Sequence, residues 1–477
     1  MTASGRTAAE PIDLDALRDA LRRAPDAEHL RPIGLRHVHL GTDALDELPA
    51  VVAGVRRPGD VVLLMDATPM RRGDDDLKAL VRTRLAARLP VRVVVLDAPG
   101  GLVHADEATV AVAHREAAGA GCLVTVGSGT ITDIGKDVSA GDGDLPLVVV
   151  QTAVSVNGYA DDMAVLLRDG VKRTVASRWP DALVADTGVL AAAPPAMNRA
   201  GAGELLAMFT APADWYLADA LGMAEGYSAS VVALYRRHGE AVLALAPLVG
   251  AGDPAALEEL ARVMTLSGVA MGVAGGTAPL SGMEHTVSHL LDMDAGARGR
   301  PTALHGAQVG VAAVVASLLW TRVRRGFDPQ RLRDDGAFPE PATLRSRVTA
   351  AFDHLDPSGT MAAECWRDYE RKLRRWHAGR GRVAAVAADW PAHEEVLDTL
   401  LMPPAALAAA LQRAHAPARF SDLDPPPDPD TVRWALANCH LMRDRFGVAD
   451  LAFLLGRWEA GDVADVLAEA ATLGAGL

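Results

Sequence analysis

Three histidines in the second half of the sequence have the type and spacing of metal ligands. His285 and His289 lie four residues apart in SGMEHTVSH, and His305 follows sixteen residues later in ALHG. Residues four apart share one face of a helix, and neutral imidazoles bind zinc, iron or nickel. A histidine pair on a helix is equally common in structural or surface positions. The third histidine favours a shared metal site over that alternative.

A glycine-rich turn in the first half has the composition of a phosphate-binding loop. Gly127, Ser128 and Gly129 directly follow the apolar run CLVTV and open a predicted helix that includes Asp133. Glycines let the backbone approach a pyrophosphate, and the N–H groups at a helix start donate to its oxygens. The same turn also serves as a plain connection between a strand and a helix. Its place in an alternating strand–helix pattern favours phosphate binding.

An acidic residue ends an earlier predicted strand. Asp66 follows VVLLM, where a carboxylate can accept hydrogen bonds from the hydroxyls of an adenosine ribose. An exposed loop or cap aspartate is the alternative interpretation. Arg71 and Arg72 follow closely and could instead contact a 2′-phosphate, so the sequence leaves both NAD and NADP open.

Short β-branched runs alternate with helical stretches up to about residue 192. The predicted strands are Val61–Met65, Val91–Leu96, Cys122–Val126 and Leu147–Val150, and the helical stretches between them include Asp75–Arg88 and Asp106–Ala118. Apolar runs without polar interleaving are typical of parallel strands that are buried on both faces. We therefore predict a doubly wound dinucleotide-binding α/β domain over residues 35–192, after an N-terminal extension over residues 1–34.

The second half is predicted to be mainly helical. Stretches rich in Ala and Leu, broken by prolines, replace the β-branched runs after about residue 195. We assign residues 193–477 to a helical domain that binds the metal and the substrate. This domain carries an insertion around residues 331–430, to which the sequence gives no role.

The composition restricts the class of partner. Of the 477 residues 50% are apolar, and the net charge is −14, so we expect a large buried core and no nucleic-acid or anionic-membrane partner. The three cysteines lack the paired spacing of disulfides or thiolate metal sites, which suits a reducing cytoplasm. There is neither an apolar signal segment at the N-terminus nor an uninterrupted apolar run long enough for a bilayer. We expect a cytoplasmic protein that acts on a small molecule.

Taken in order, the motifs of the chain resemble those of the bacterial and archaeal glycerol-1-phosphate dehydrogenases. That family is grouped with glycerol dehydrogenase, the iron-containing alcohol dehydrogenases and 3-dehydroquinate synthase. The resemblance runs from about His37 to about Leu455 and rests on HLGTDALDELP, GSGTITDIGK, QTAVSVNGYA, DGVKRT, ALVADTGVLAAAP, GAGELLAMFTAPADW, SGMEHTVSH, ALHGAQVG and RDRFGVADLA. It implies a metal-dependent NAD(P)H oxidoreductase that transfers hydride to a small hydroxyketone such as dihydroxyacetone phosphate, giving sn-glycerol 1-phosphate. It also implies a homo-oligomer.

The resemblance assigns roles that the motifs alone do not give. It implies a cofactor site of Asp66 near the ribose, Gly127, Ser128, Gly129 and Asp133 at the pyrophosphate, and Thr152 and Ser155 beside the nicotinamide. It implies the metal ligands Glu204, His285 and His305, and a lysine, Lys172, close to the cofactor and substrate. Asn157 and His289 would face the substrate, with His289 in the proton relay.

Near the expected substrate site the chain departs from its relatives. Asn157 stands where glycerol-1-phosphate dehydrogenases carry an aspartate that contacts the substrate, and small hydroxyl residues beside it become Asp161 and Asp162. Two added carboxylates near a phosphate would repel it. These departures argue against a phosphorylated substrate.

Near the expected metal the departures keep other functions open. Relatives usually have aspartate where this chain has Glu204, and glutamate is the ligand in the synthase branch. The alternative is therefore a sugar-phosphate cyclase, a carbon–oxygen lyase like 3-dehydroquinate synthase that uses bound NAD transiently. TAPADW, SGMEH and RDRF instead follow the dehydrogenase branch. A non-catalytic relative is a third alternative, because Met208 replaces an expected lysine, Ala307 an expected glutamate and Asn157 an expected aspartate.

Overall fold

The computed structural model describes residues 11–97, 103–141, 143–168, 171–333 and 340–477. The chain divides into two compact units. The first unit comprises Met1–Arg168, Arg173–Asn198 and Ala233–Gly275, and the second comprises Asp169–Lys172, Arg199–Val232 and Gly276–Leu477. The first unit therefore takes in a segment of the helical half of the sequence.

All of the strands in the described residues lie before residue 190. They are β1 (His37–Gly41), β2 (Val61–Asp66), β3 (Arg71–Arg72), β4 (Asp75–Asp76), β5 (Val91–Leu96), β6 (Cys122–Gly127), β7 (Leu147–Gln151), β8 (Met163–Arg168), β9 (Val171–Ala176) and β10 (Ala182–Asp186). Six of them form one parallel sheet in the order β1-β10-β7-β6-β2-β5. The four strands that the sequence predicts are among these six.

Helices account for most of the remaining described residues. The α-helices are α1 (Leu14–Arg22), α2 (Leu48–Val55), α3 (Leu77–Ala86), α4 (Glu107–Ala117), α5 (Gly129–Gly141), α6 (Thr187–Ala192), α7 (Pro195–Leu205), α8 (Ala211–Ala220), α9 (Ala229–Ala244), α10 (Ala246–Ala251), α11 (Pro254–Ala274), α12 (Met283–Ala297), α13 (His305–Arg324), α14 (Pro341–Phe352), α15 (Thr360–Ala378), α16 (Arg380–Ala388), α17 (Trp390–Leu400), α18 (Pro404–Arg413), α19 (Pro429–Asn438), α20 (Val448–Leu454) and α21 (Ala460–Thr472). The predicted fold class, an α/β sheet followed by a mainly helical half, is confirmed.

The central strands of the sheet are buried along their whole length. Every residue of β6, β7 and β10 is buried, because the sheet continues on both sides of these strands and helices cover its faces. The strand β5 differs, since it lies at the edge of the sheet and exposes the side chains of Val93 and Val95. The prediction that all four apolar runs are buried on both faces is therefore wrong for Val91–Leu96.

The long apolar helix α13 packs inside the second unit. By length and composition alone His305–Arg324 could cross a membrane, but 89% of its most apolar window is buried within the protein. The buried face includes polar groups such as Gln308 and Ser317, both of which are hydrogen-bonded. Burial of this kind is typical of a core helix.

The two segments without a sequence-based role contain regular structure. In the predicted extension, residues 1–10 lie outside the described part, and the rest contains α1, from which Arg18 donates to the carbonyl of Leu35. In the predicted insertion, residues 334–339 lie outside the described part. The remainder of that segment forms α14 to α18 and the start of α19.

Candidate cofactor loop and metal centre

The predicted phosphate-binding loop lies between β6 and α5 in the first unit. Gly127 is the last residue of β6 and Gly129 the first residue of α5, a helix of 13 residues. A Cβ atom on Gly127 would lie 2.6 Å from the Ile131 side chain, and one on Gly129 would lie 3.1 Å from Val156. Side chains at either position would therefore crowd the turn. Ser128, Gly129 and Thr130 at the helix start are half-buried rather than buried, and the first N–H groups of a helix have no partner within it, which is the arrangement that a pyrophosphate site uses.

Other predicted cofactor residues lie at the same edge of the sheet. Asp66 ends β2, whereas Thr152 and Ser155 follow β7, and both of these strands pair with β6 in parallel. Because parallel strands end at one edge, these residues share that edge with the glycine turn. Thr152, Ser155 and Asn157 are buried. The structure thus places Asp66, the glycine turn, Thr152 and Ser155 at one edge of the sheet, and Asp133 lies within the first two turns of α5.

The charged groups around Asp66 already have partners. Lys78 Nζ lies 2.7 Å from Asp66 Oδ1, and the Thr68 hydroxyl donates to the other carboxylate oxygen. Arg72 donates to Asp186 and Asp43. The carboxylate of Asp66 keeps lone pairs for ribose hydroxyls, whereas the Arg72 guanidinium is occupied within the protein.

The carboxylate of Asp161 is neutralised by a lysine that the sequence analysis did not single out. Lys136, on α5, is fully buried and donates to Asp161 Oδ1 and to the carbonyls of Gly158 and Met163. The neighbouring Asp162 lies 3.8 Å from Arg31. Asp161 therefore carries a paired charge rather than a bare one, whereas Asp162 has only this longer contact with a cation, and the pairing weakens the expected repulsion of a phosphate.

The candidate metal ligands come from three helices of the second unit. Glu204 lies near the end of α7, His285 in the first turn of α12, and His305 is the first residue of α13. Glycines allow α7 and α13 to approach closely. A Cβ atom on Gly203 would lie 2.3 Å from the Gly306 carbonyl oxygen. This contact places Glu204 beside His305.

The donor atoms of these three residues form a compact cluster. His285 Nε2 lies 3.5 Å from Glu204 Oε1, and His305 Nε2 lies 3.8 Å from Glu204 Oε2. One donor atom from each residue lies within 4.8 Å of the others. Two donors that are each about 2.1 Å from one ion are at most about 4.2 Å apart, so both carboxylate–imidazole distances suit a shared ion.

The hydrogen bonding of the cluster also fits a cation. Glu204 is 2% exposed, and its Oε2 atom is buried without a hydrogen-bond partner. Buried carboxylate oxygens are normally paired, so a bound cation would supply the partner that this one lacks. A carboxylate with two imidazoles is a donor set that zinc, iron and nickel accept.

Burial and the carboxylate set the pKa values within the cluster. Burial alone would lower the pKa of His285, but the charge of Glu204 and contacts with Glu204 and Glu284 raise it to about 9. Burial lowers the pKa of His305 to about 4, against the opposing charge of Glu204. Burial would raise the pKa of Glu204, yet the two histidines bring it below its ordinary value. The carboxylate therefore stays charged at neutral pH.

His289 stands beside this cluster in a cationic environment. Its ring centroid lies 5.6 Å from that of His305, and its Nδ1 atom is buried without a partner. Burial, followed by the charge of Arg443 and that of other nearby groups including Lys172, lowers the pKa of His289 well below its usual value. A neutral imidazole offers one hydrogen-bond donor and one acceptor.

Several residues that support the ligands were missed by the sequence analysis. Glu284 Oε1 lies 3.0 Å from His285 Nδ1, and Ser288 Oγ lies 2.9 Å from His305 Nδ1. Gln308 and Asp292 bond to one another beyond Ser288. Their spacing was a usable signal, because Ser288 and Asp292 lie three residues after His285 and His289, and Gln308 lies three after His305.

The chain is similar to known dehydrogenases. A family model described as iron-containing alcohol dehydrogenase matches residues 39–194. A glycerol-1-phosphate dehydrogenase (NAD(P)+) from Bacillus licheniformis is 33% identical over 417 residues, which are 87% of this chain and 88% of that protein. The one from Methanothrix thermoacetophila is 35% identical over 209 residues, 43% of this chain and 57% of that protein. A probable glycerol dehydrogenase structure from Sinorhizobium meliloti shares the fold, with a TM-score of 0.58 at 17% identity over 92% of this chain and 98% of that chain.

Proposed function

The chain belongs to the glycerol-1-phosphate dehydrogenase family within the iron-containing alcohol dehydrogenases, and on that premise we propose that it reduces dihydroxyacetone phosphate to sn-glycerol 1-phosphate. It is an NAD(P)-dependent dehydrogenase that acts on a CH–OH group and uses a divalent metal. The observation that carries the proposal is the cluster of Glu204, His285 and His305, of which the first two are buried and His305 is half-buried.

We propose these three residues as the metal ligands. When bound, the metal supplies a Lewis acid for a ketone oxygen, and the reduced nicotinamide supplies the hydride. Glu204 contributes a negative charge that offsets part of the charge of the cation. Its longer side chain, compared with the aspartate of relatives, still reaches both His285 and His305. Zinc, iron and nickel remain equally suitable for this donor set.

We propose that His289 binds the substrate and moves its proton. Its buried, unpartnered Nδ1 atom is the group that a substrate hydroxyl would satisfy. Lys172 and Arg443 place positive charge around His289. An anionic substrate would be held there by charge, which supports the phosphorylated ketone over the unphosphorylated one.

We propose cofactor roles for residues of the first unit. They are the turn Gly127, Ser128 and Gly129 with Asp133 for the pyrophosphate, Asp66 for the ribose, and Thr152 and Ser155 for the nicotinamide. Asn157 is proposed as a substrate-binding residue. The helix start at Gly129 and the shared sheet edge support this assignment. Asp66 can still accept from a ribose hydroxyl, as NAD binding requires, and Arg71, which donates through one nitrogen to the Asp74 carbonyl, could contact a 2′-phosphate, so both NAD and NADP are proposed.

A cytoplasmic location and a homo-oligomer are also proposed. The three cysteines are buried as thiols, an arrangement that suits a reducing compartment. The oligomer is proposed by analogy with the family alone.

One observation favours a second function, a sugar-phosphate cyclase. Glu204 supplies the glutamate that the synthase branch uses as a ligand. A cyclase oxidises and then re-reduces its substrate, so it regenerates its cofactor and consumes no NADH overall. Steady oxidation of NADH with a ketone substrate therefore separates the two functions.

The experiment that tests the proposal combines metal analysis with cofactor oxidation. We expect one metal per chain, and oxidation of NADH or NADPH with dihydroxyacetone phosphate at a kcat/KM at least about tenfold above that with dihydroxyacetone, because a phosphate adds charge-assisted hydrogen bonds. Metal without oxidation of either cofactor would overturn the proposed reaction and favour the cyclase. A chain purified with full metal supplementation that still binds none would overturn the metal site.

A charge variant tests the phosphate assignment. Arg443→Met should lower kcat/KM for dihydroxyacetone phosphate about tenfold or more and leave that for dihydroxyacetone within a factor of about three. Arg375→Met is the matched control, because Arg375 is an exposed arginine that donates to the carbonyl of Asp444, the residue after Arg443. Equal losses with both ketones would remove Arg443 from phosphate binding.

A further inference from the structure

A chain of buried side chains connects the candidate metal ligand His305 to Lys172. Ser288 Oγ lies 2.9 Å from His305 Nδ1 and 2.6 Å from Gln308 Oε1. Gln308 Nε2 lies 3.1 Å from Asp292 Oδ1, and Lys172 Nζ donates to Asp292 Oδ2. We call these groups, from His305 to Lys172, the relay. Its three middle members are at most 7% exposed.

The hydrogen bonds of the relay can be assigned donors and acceptors, and the assignment starts from Lys172. An ammonium group only donates, so the carboxylate of Asp292 accepts from Lys172 and also from Gln308. The amide NH₂ of Gln308 faces two acceptors, Asp292 Oδ1 and, at 3.4 Å, the carbonyl oxygen of Ala303. The orientation of this amide is therefore fixed with its oxygen toward Ser288.

That orientation fixes the proton of the serine. The amide oxygen of Gln308 only accepts, so the single hydroxyl proton of Ser288 points toward Gln308. Ser288 is then left with lone pairs for His305 and must accept from its Nδ1–H. The Nε2 atom of His305 consequently carries its lone pair, and it is the nitrogen that lies 3.8 Å from Glu204 Oε2.

We propose that Ser288, Gln308 and Asp292 are positioning residues that hold His305 in the Nδ1–H tautomer needed to bind a metal through Nε2. This inference rests on the proposed metal site. A single residue holds His285 in the same tautomer, because the Nδ1 atom of His285 contacts the carboxylate of Glu284 directly. Partners of this kind fix the tautomer and orientation of ligating histidines. The relay gives His305 the same support across two intervening polar groups.

Asp292→Asn tests the direction of the relay. Lys172 would take the new amide oxygen, so the NH₂ of the asparagine would face Gln308 and favour the reverse order of donors. Ser288 would then donate to His305, and Nε2 would carry the proton instead of the lone pair. We expect the Kd for Co²⁺, measured by chelator competition, to rise about 10- to 100-fold. The d–d absorption of any bound Co²⁺ should change as well.

The control removes the same charge from the same helix. Asp294 is a buried aspartate two residues along α12 that accepts from Arg298 and Thr431, outside the relay. Asp294→Asn should change the Co²⁺ Kd by less than about threefold. Similar losses in both variants would overturn the inference, because a general charge effect would then explain them. Unchanged Co²⁺ binding in Asp292→Asn would overturn it too.

A second pair of variants keeps the test decisive if Asp292→Asn fails to fold. Ser288→Ala breaks the relay without reversing it, so we expect a smaller rise in the Co²⁺ Kd, about 3- to 10-fold. Ser317→Ala removes another buried hydroxyl, which donates to the Met402 carbonyl from α13, and should leave Co²⁺ binding unchanged. Equal Kd values for the two serine variants would overturn the inference.

Failure of the relay and failure of the metal site give different results. If the wild-type chain binds Co²⁺ and His305→Ala abolishes this, the metal site stands whatever Asp292→Asn does. If the wild-type chain binds no Co²⁺, or His305→Ala binds it normally, the proposed site itself fails.

Discussion

Two clusters of buried charge in this chain have opposite hydrogen-bond arrangements. In the first unit, Lys136 directs its ammonium group to three acceptors, which are Asp161 and the carbonyls of Gly158 and Met163. In the second unit, Glu204 Oε2 and His289 Nδ1 are buried with no partner. An ammonium has three protons, so the first cluster is complete within the protein.

This difference in hydrogen bonding assigns a structural role to the cluster around Lys136 and supports the proposed binding role of the cluster around Glu204. Buried polar groups are almost always paired, because an unpaired one keeps its full desolvation cost. The cluster around Lys136 meets this rule without a ligand and therefore stabilises the fold. On the proposed function, a cation and a substrate would supply the missing partners of the cluster around Glu204. Burial of a charged residue alone would not have distinguished the two.

The largest expected effect comes from deleting a ligand in the open cluster. His285→Ala or His305→Ala should reduce the metal content from one per chain to near zero and lower kcat/KM by about 10³-fold or more, because Lewis-acid stabilisation is worth several kcal/mol. His289→Ala should keep the metal and lose rate. Elemental analysis and steady-state kinetics measure both quantities.

A histidine elsewhere in the second unit is the control for these variants. His393 contacts the Tyr216 hydroxyl, and His393→Ala should keep both metal and rate. If His285→Ala and His305→Ala both retain a full metal complement, the ligand set is wrong and the open cluster has another role.

The second-largest expected effect is a loss of stability when the ion pair of Lys136 and Asp161 is broken. Lys136→Met would leave the Asp161 carboxylate buried without its cation, and we expect the free energy of unfolding to fall by about 3–5 kcal/mol. Metal content should not change. Thermal and urea unfolding measure the loss, and the double variant with Asp161→Leu should recover part of it. A metal loss that parallels the loss of stability would contradict the separation of roles.

The sequence predicted the features that depend on neighbours in the chain. β-branched runs gave strands at their observed places, and Gly127 and Gly129 mark a real turn between β6 and α5. The four-residue spacing of His285 and His289 correctly placed both on α12. The edge position of β5 was not predictable from composition, because Val93 and Val95 have the same residue type as buried valines.

Contacts between residues that are far apart in the sequence were either missed or predicted only through the family resemblance. Glu204 lies 81 residues before His285, and it meets the histidines through the glycine contact between α7 and α13. Lys136 looks like an ordinary surface residue of GSGTITDIGK, since its partner Asp161 follows 25 residues later. A local sequence pattern does not predict which charged residues will be buried together. The sequence analysis therefore treated the Asp161 carboxylate as an unpaired charge.

The smallest expected effect concerns Asp214, a buried carboxylate that is hydrogen-bonded, unlike Glu204 Oε2, but has no cation partner such as Lys136 among the described residues. Asp214 accepts from three neutral donors, which are the backbone N–H groups of Met283 and Val448 and the indole of Trp320. Burial, followed by the charge of Glu284, raises the pKa of Asp214 to about 8, despite these hydrogen bonds. It is thus paired like Asp161 but not neutralised by a cation.

This arrangement predicts a pH dependence of stability. The folded-state pKa lies above the ordinary value of 3.8, so the folded chain holds a proton that the unfolded chain loses between pH about 4 and about 8. The contribution of Asp214 to stability therefore falls as the pH rises through that window and becomes level above it. Asp214→Asn resembles the protonated acid and lacks this slope. The Tm of the wild type should fall relative to that of Asp214→Asn between pH 5 and 8. A constant Tm difference would mean that the three donors already hold a charged carboxylate, which would make Asp214 a second complete cluster without a cation.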